Sequence, residues 1–127
     1  QRGRNFVGRA KIPNDIKDKH GHGTHVAGTA AAIDNEIGVV GVAENATIVP
    51  LRVFGASGQG FVDDIIEAVD HVADNASRGD VVNMSFGWYD DPFGDFGNTI
   101  FQKYSRSSSC SQTNRHVRRI HVKRPYF

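Results

Sequence analysis

From position 22 the chain reads His22-Gly23-Thr24-His25-Val26-Ala27-Gly28-Thr29-Ala30-Ala31-Ala32. Two histidines are followed by a run with almost no side-chain bulk. A helix of this kind can lie very close to a neighbouring element, and the run predicts one over 22–34, buried, with a histidine at its start. Gly28 inside it costs roughly 0.5–1 kcal/mol relative to alanine, which calls for a packing reason. Histidine titrates nearer neutrality than any other side chain, so His22 is placed to take and return a proton. Gly23 leaves backbone room beside it. A metal reading of His20, His22 and His25 is weaker, because the run lacks the glutamate of His-Glu-x-x-His and any evident supporting ligand.

The remainder of the first hundred residues alternates between two periodicities. Pro13-Asn14-Asp15 marks a turn in a polar opening segment that holds one short strand at 5–7. Asn35-Glu36-Ile37-Gly38 ends the first helix. Residues 39–42 and 47–53 are rich in β-branched side chains and read as strands, the second nearly continuous in apolar character as a buried parallel strand should be. Pro50 is irregular there, since it cannot donate to a ladder. Gly55-Ala56-Ser57-Gly58-Gln59-Gly60 reads as a flexible connection. Val62, Ile65, Ile66, Val69, Val72, Ala73 and Ala76 recur at steps of three and four, which predicts an amphipathic helix over 61–77 ended by Arg78-Gly79. Asp63 and Asp64 suit its first turn. A further strand follows at 81–86. Strand, helix, strand in this order predicts a right-handed βαβ unit and a parallel sheet.

Charge divides the chain at about residue 97. Positions 1–95 hold 8 basic and all 14 acidic side chains, and positions 96–127 hold 7 basic and no acidic ones. The last glycine is Gly97 and the last alanine Ala76. Residues 1–97 therefore read as one partial domain. Residues 98–127 read as a basic, glycine-free tail, either a genuine extension or a product of a shifted frame or an unspliced junction. A basic run at 115–124 could meet phosphates, but no nucleic-acid-binding signature accompanies it. No run approaches the ~20 apolar residues that cross a bilayer. The start of the chain has no apolar stretch of the signal-peptide kind. The single Cys110 excludes an internal disulfide.

His-Gly-Thr-His-Val-Ala-Gly-Thr at 22–29 closely resembles the histidine motif of the subtilisin-like serine proteases, the subtilase or S8 peptidase family, with no mismatch. That resemblance implies a partial α/β fold of three layers, a parallel β-sheet between helices. It implies His22 as the catalytic base and His25 as a non-catalytic helix residue. It implies that the substrate backbone runs between two segments, here Gly58 and Gly60 on one side and Ser85, Phe86 and Gly87 on the other, where main-chain pairing supplies affinity and pockets supply selectivity. Phe86 stands where the family usually has leucine. The stretch Ile33-Asp34-Asn35-Glu36-Ile37-Gly38-Val39 is similar to a loop that in many members binds a structural calcium. This places candidate ligands on Asn35, Ile37 and Val39, oxygen donors of the kind calcium takes. No cofactor is expected to be needed for catalysis itself.

A Ser-His-Asp mechanism needs a nucleophile, a base and a carboxylate that orients the base. Asp15 and Asp18 are candidates for the carboxylate by residue type only. No segment of this sequence resembles the Gly-Thr-Ser-Met-Ala of the family nucleophile or its oxyanion asparagine. The serines at 105, 107, 108, 109 and 111 lie in a glycine-free patch. The expectation is a fragment of a serine endopeptidase acting on protein or peptide, extracellular by resemblance, with a pro-segment or inhibitor as a further partner and no membrane contact. Isolated, it should be inactive. The alternative is a non-catalytic interaction protein or a basic-tailed binding module derived from a protease.

Overall fold

The structure is a computed structural model of the 127-residue chain and describes residues 3–8, 12–87 and 121–122. The elements run β1 (Arg4–Asn5), α1 (His22–Ala31), β2 (Leu51–Arg52), α2 (Val62–Asn75), β3 (Asn83–Met84) and β4 (His121–Val122). They fall into two compact units, residues 1–68 and 69–127. The serine patch with Cys110 and most of the basic run lie outside the described residues.

In the first unit β1 and β2 pair in parallel, with Arg4 opposite Leu51 and Asn5 opposite Arg52. Parallel neighbours need a crossover, and α1 lies in this one, so the unit is a βαβ arrangement. The ladder is shorter than the apolar run at 47–53 predicted, and Pro50 marks its beginning. Its carbonyl accepts from Arg4 N at 2.9 Å, but proline has no N–H to return. Phe6 N then donates to Arg52 O at 2.8 Å. Phe6 is 1% exposed and forms the centre of this unit with Ile65 and Ala68, also buried. Asn5 is buried as well. Its Nδ2 donates to Ile12 O at 3.3 Å and its Oδ1 accepts from Val7 N at 3.1 Å, so the polar group is satisfied where it lies.

Helix α1 ends three residues earlier than the sequence predicts, and none of its residues is buried. The expectation of a buried helix is therefore corrected for this chain. A Cβ placed on Gly28 would meet nothing within 4 Å, so the packing reason expected there is not found among the described residues. The strand expected at 39–42 is also absent, for an identifiable reason. Its backbone donors serve the helix end instead: Gly41 N bonds Ala32 O at 2.8 Å, Val42 N bonds Thr29 O at 3.2 Å and Ala43 N bonds Ala30 O at 2.8 Å. The last carbonyls of a helix lack partners within it, and a returning chain can supply them.

Helix α2 follows its prediction closely. Ile65, Val69 and Val72 from the anticipated stripe are buried, joined by Ala68. Removing such side chains from water is worth about 1.5–3 kcal/mol for each large one. Asp64, in the first turn, is buried and accepts from Gly8 N at 3.3 Å, an anion at the positive end of the helix. After Asn75 the chain turns through 77–80, closed by Ser77 N to Asp80 Oδ2 at 2.8 Å and Asp80 N to Ser77 O at 3.1 Å.

In the second unit β3 pairs in parallel with β4, Asn83 opposite His121 and Met84 opposite Val122. Met84 is buried. Part of the basic tail is thus a strand partner of β3. No helix among the described residues is long and apolar enough to cross a membrane.

Candidate active site

His22 is the first residue of α1 and is exposed. The residue that caps the helix, Gly21, has φ of 101°, a left-handed turn that favours glycine, and offers no side chain as a cap. The cap comes from Asp18. Its Oδ1 accepts from His20 N at 2.9 Å and Gly21 N at 2.8 Å, and its Oδ2 accepts from Thr24 N at 2.8 Å and Thr24 Oγ1 at 2.7 Å. The Gly21 N–H, then the Thr24 hydroxyl and the N–H groups of Thr24 and His20, hold the Asp18 carboxyl far below the usual carboxylate range. The carboxylate thus supplies both the missing acceptor for Thr24 N and a negative charge at the helix start.

The His22 imidazole forms no hydrogen bond with any described residue. Neither Asp15 nor Asp18 bonds to it; both carboxylates are engaged elsewhere. Asp15 bridges Lys19 Nζ at 3.0 Å and Arg52 Nη1 at 3.0 Å. The Lys19 hydrogen bond, with the Arg52 charge behind it, holds the Asp15 carboxyl below its ordinary value. Arg52 Nη1 also donates to Asp15 O at 3.1 Å, which fixes the polar segment against the end of β2.

His20 lies between His22 and the segment at 55–60. Its ring lies 6.5 Å from that of His22, edge to face. The same ring stands over Gly58. A Cβ on Gly58 would come within 2.8 Å of His20 Nε2, and its φ of 75° is itself left-handed. The connection predicted to be flexible is closed by its own bonds, Gly58 N to Gly55 O at 3.1 Å and Gly55 N to Gln59 O at 2.9 Å. A Cβ on Gly60 would collide with Val53 O, so that position also needs its bare backbone. His22, Gly58 and Gly60 are accordingly presented by one unit.

Ser85, Phe86 and Gly87 follow β3 in the second unit. The Asn83 amide donates to Ser85 Oγ at 2.9 Å, Ser85 and Phe86 are half-buried, and Gly87 is exposed. In the loop read for calcium, Asn35 Oδ1 accepts from Ile37 N at 2.9 Å, closing a local turn and leaving one lone pair on that oxygen. Three oxygens from Asn35, Ile37 and Val39 would fill at most half of the roughly six to eight positions calcium takes. No cluster of three or more His, Cys, Asp or Glu suited to a metal occurs among the described residues.

Sequence reasoning assigned no structural part to Asp18 or His20. The available signal was an acidic residue ahead of a helix whose cap position is glycine and whose third residue is threonine.

The model of the Subtilase family matches residues 4–123. An alkaline protease of Alkalihalobacillus alcalophilus is 44% identical over 82 residues, which cover 63% of this chain and 21% of that protein. An intracellular serine protease of Paenibacillus polymyxa is 42% identical over 90 residues, 70% of this chain and 27% of its own length. Among solved structures, Sphericase superposes with a TM-score of 0.62 and 34% identity over 81% of this chain and 36% of that one. This chain spans well under half the length of each.

Proposed function

The chain belongs to the subtilase family, and on that premise we propose that it is a piece of a serine endopeptidase whose catalytic base is His22. The observation that carries this reading is the presentation of His22. The imidazole stands exposed at the start of a helix, free of hydrogen bonds from the described residues, and the His20 ring 6.5 Å from it stands against a bare-backbone turn at Gly58. A general base needs such access, and an extended peptide needs such a turn to reach main-chain groups. In this reading His22 takes the proton of a serine hydroxyl and returns it to the leaving amine. Gly58 and Gly60 in the first unit, and Ser85, Phe86 and Gly87 in the second, are the segments that would each pair with the backbone of a protein or peptide substrate. The carboxylate that orients His22 and the nucleophilic serine come from parts of the fold this chain does not supply, so the chain alone does not hydrolyse peptides.

The test is hydrolysis of a chromogenic peptide, first with the chain alone and then with the same chain joined to a segment carrying the family nucleophile and another carrying its aspartate. The chain alone should be silent. The completed domain should be active, and His22→Ala should lower kcat by on the order of 10⁶, as removal of the base from such a triad does. Activity of the completed domain that His22→Ala leaves intact would sink the assignment.

Three subsidiary proposals follow from family membership. A calcium ion is held partly by Asn35 Oδ1 and the main-chain oxygens of Ile37 and Val39, with other ligands completing the shell, so chelation should lower the melting temperature of the completed domain and Asn35→Ala should abolish that sensitivity. A pro-segment or protein inhibitor binds the same substrate-pairing segments. The working location is outside the cell, which fractionation of the source organism would check.

A further inference from the structure

The reading of His22 as a base leaves open what sets its position relative to the substrate segment. In most capped helices the residue at the cap supplies the acceptor. Here Gly21 cannot, and a carboxylate three residues earlier reaches across the turn to do so. Its two oxygens engage three of the five residues from 20 to 24, on either side of His22. One holds the main chain of His20 and Gly21, and the other holds Thr24 through both its N–H and its hydroxyl. His22 lies between these two anchored points. Because His20 is held at its backbone and its ring stands against Gly58, the same carboxylate also fixes the distance from the base to the Gly58 turn.

We infer that Asp18 is a positioning residue for this site, a latch that sets His22 and the Gly58–Gly60 segment in register, and that it is not the triad carboxylate. The inference rests on the proposed role of His22, but its geometry can be read without catalysis. Charge matters as well as shape. An asparagine in the same place has one acceptor oxygen and presents an NH₂ group to donors, so it can satisfy only one of the two anchored points. A glutamate carries the charge on a stem one methylene longer and displaces both.

The decisive experiment is heteronuclear NMR of the full chain and its Asp18→Asn, Asp18→Ala and Thr24→Val variants. The readouts are the amide signals of His20, Gly21 and Thr24 and the nuclear Overhauser contact between the His20 ring and the Gly58 α-protons. The unmodified chain should show that contact. Asp18→Ala should lose it and shift all three amides, and Asp18→Asn should shift the amides of the anchored point it leaves unpaired. Thr24→Val, which keeps the backbone bond and deletes only the hydroxyl, should keep the contact. Signals of Ile65 and Ala68 should stay in place throughout, reporting an intact core. Persistence of the contact and of the three amide signals in Asp18→Ala would overturn the inference. So would collapse of the Ile65 and Ala68 signals in Asp18→Asn, which would make Asp18 a general scaffold residue. In the completed protease, Asp18→Asn should lower kcat more than it changes KM. Because the NMR readouts need no hydrolysis, failure of the protease reading and failure of the latch are separate results.

Discussion

Asp18 and Gly58 carry the chemistry of this site at the scale of single residues, although neither reacts. The main-chain donors around Asp18 favour its charged form in the folded chain and are absent in the unfolded one. Its folded pKa is therefore lowered from the ordinary 3.8. The sign is fixed by linkage: the stabilisation is complete above the unfolded value and is lost as pH falls through the folded one. Acid titration of the chain, followed by circular dichroism, should show α1 persisting below the range where ordinary carboxylates protonate, and Asp18→Asn should remove that persistence. Gly58 is constrained twice, by its φ of 75° and by the His20 ring above it. A left-handed conformation alone costs a non-glycine residue about 1–2 kcal/mol. Gly58→Ala should cost at least that much in chemical denaturation and should displace His20 as well.

The two helices differ in what holds them. Helix α2 is held by side-chain burial, so Ile65→Ala should cost about 2–5 kcal/mol, the usual penalty for emptying an isoleucine site. Helix α1 buries no side chain and is held at its two ends, by Asp18 at the start and by the returning 41–43 segment at the finish. Its loop carries Ile37 at 83% and Val42 at 94% exposure. Ile37→Ser and Val42→Ser should therefore each change stability by less than about 0.5 kcal/mol, as substitutions away from packed contacts do. A large loss in either would mean that these side chains are covered in solution.

For the molecule as a whole, those exposed side chains have a consequence. Ile33, Ile37, Val39, Val40 and Val42 lie within ten residues, all more than half exposed. Large apolar side chains exposed together favour association. The chain should self-associate as its concentration rises, measured by light scattering, and Val39→Lys with Val42→Lys should suppress this without altering the circular dichroism spectrum. Unchanged scattering in that double variant would place the association elsewhere. The family match running on to residue 123, and the pairing of β4 with β3, bear on the basic tail too. Deleting residues 98–127 should therefore disturb Met84, a result that amide exchange at β3 would report.

Some of this was legible in the residues and some was not, and the dividing line is range. Helix α2 could be read because its pattern repeats every three or four positions, and each turn is stabilised by neighbours in sequence. The motif at 22–29 could be read because eight adjacent residues carry it, and it led to the family before any fold was known. The segment at 39–42 has strand composition, yet a strand exists only where a partner offers carbonyls in register, and here Gly41 and Val42 donate to carbonyls at the helix end instead. Burial of α1 was expected from its small residues, but small residues only permit close approach and do not supply the neighbour. Asp18 and His20 looked like ordinary polar loop residues. The Asp18 bonds are local, and an acidic residue ahead of a glycine-capped helix was their signal; the imidazole on Gly58 is not, because that contact joins points far apart in the sequence that only the folded chain brings together.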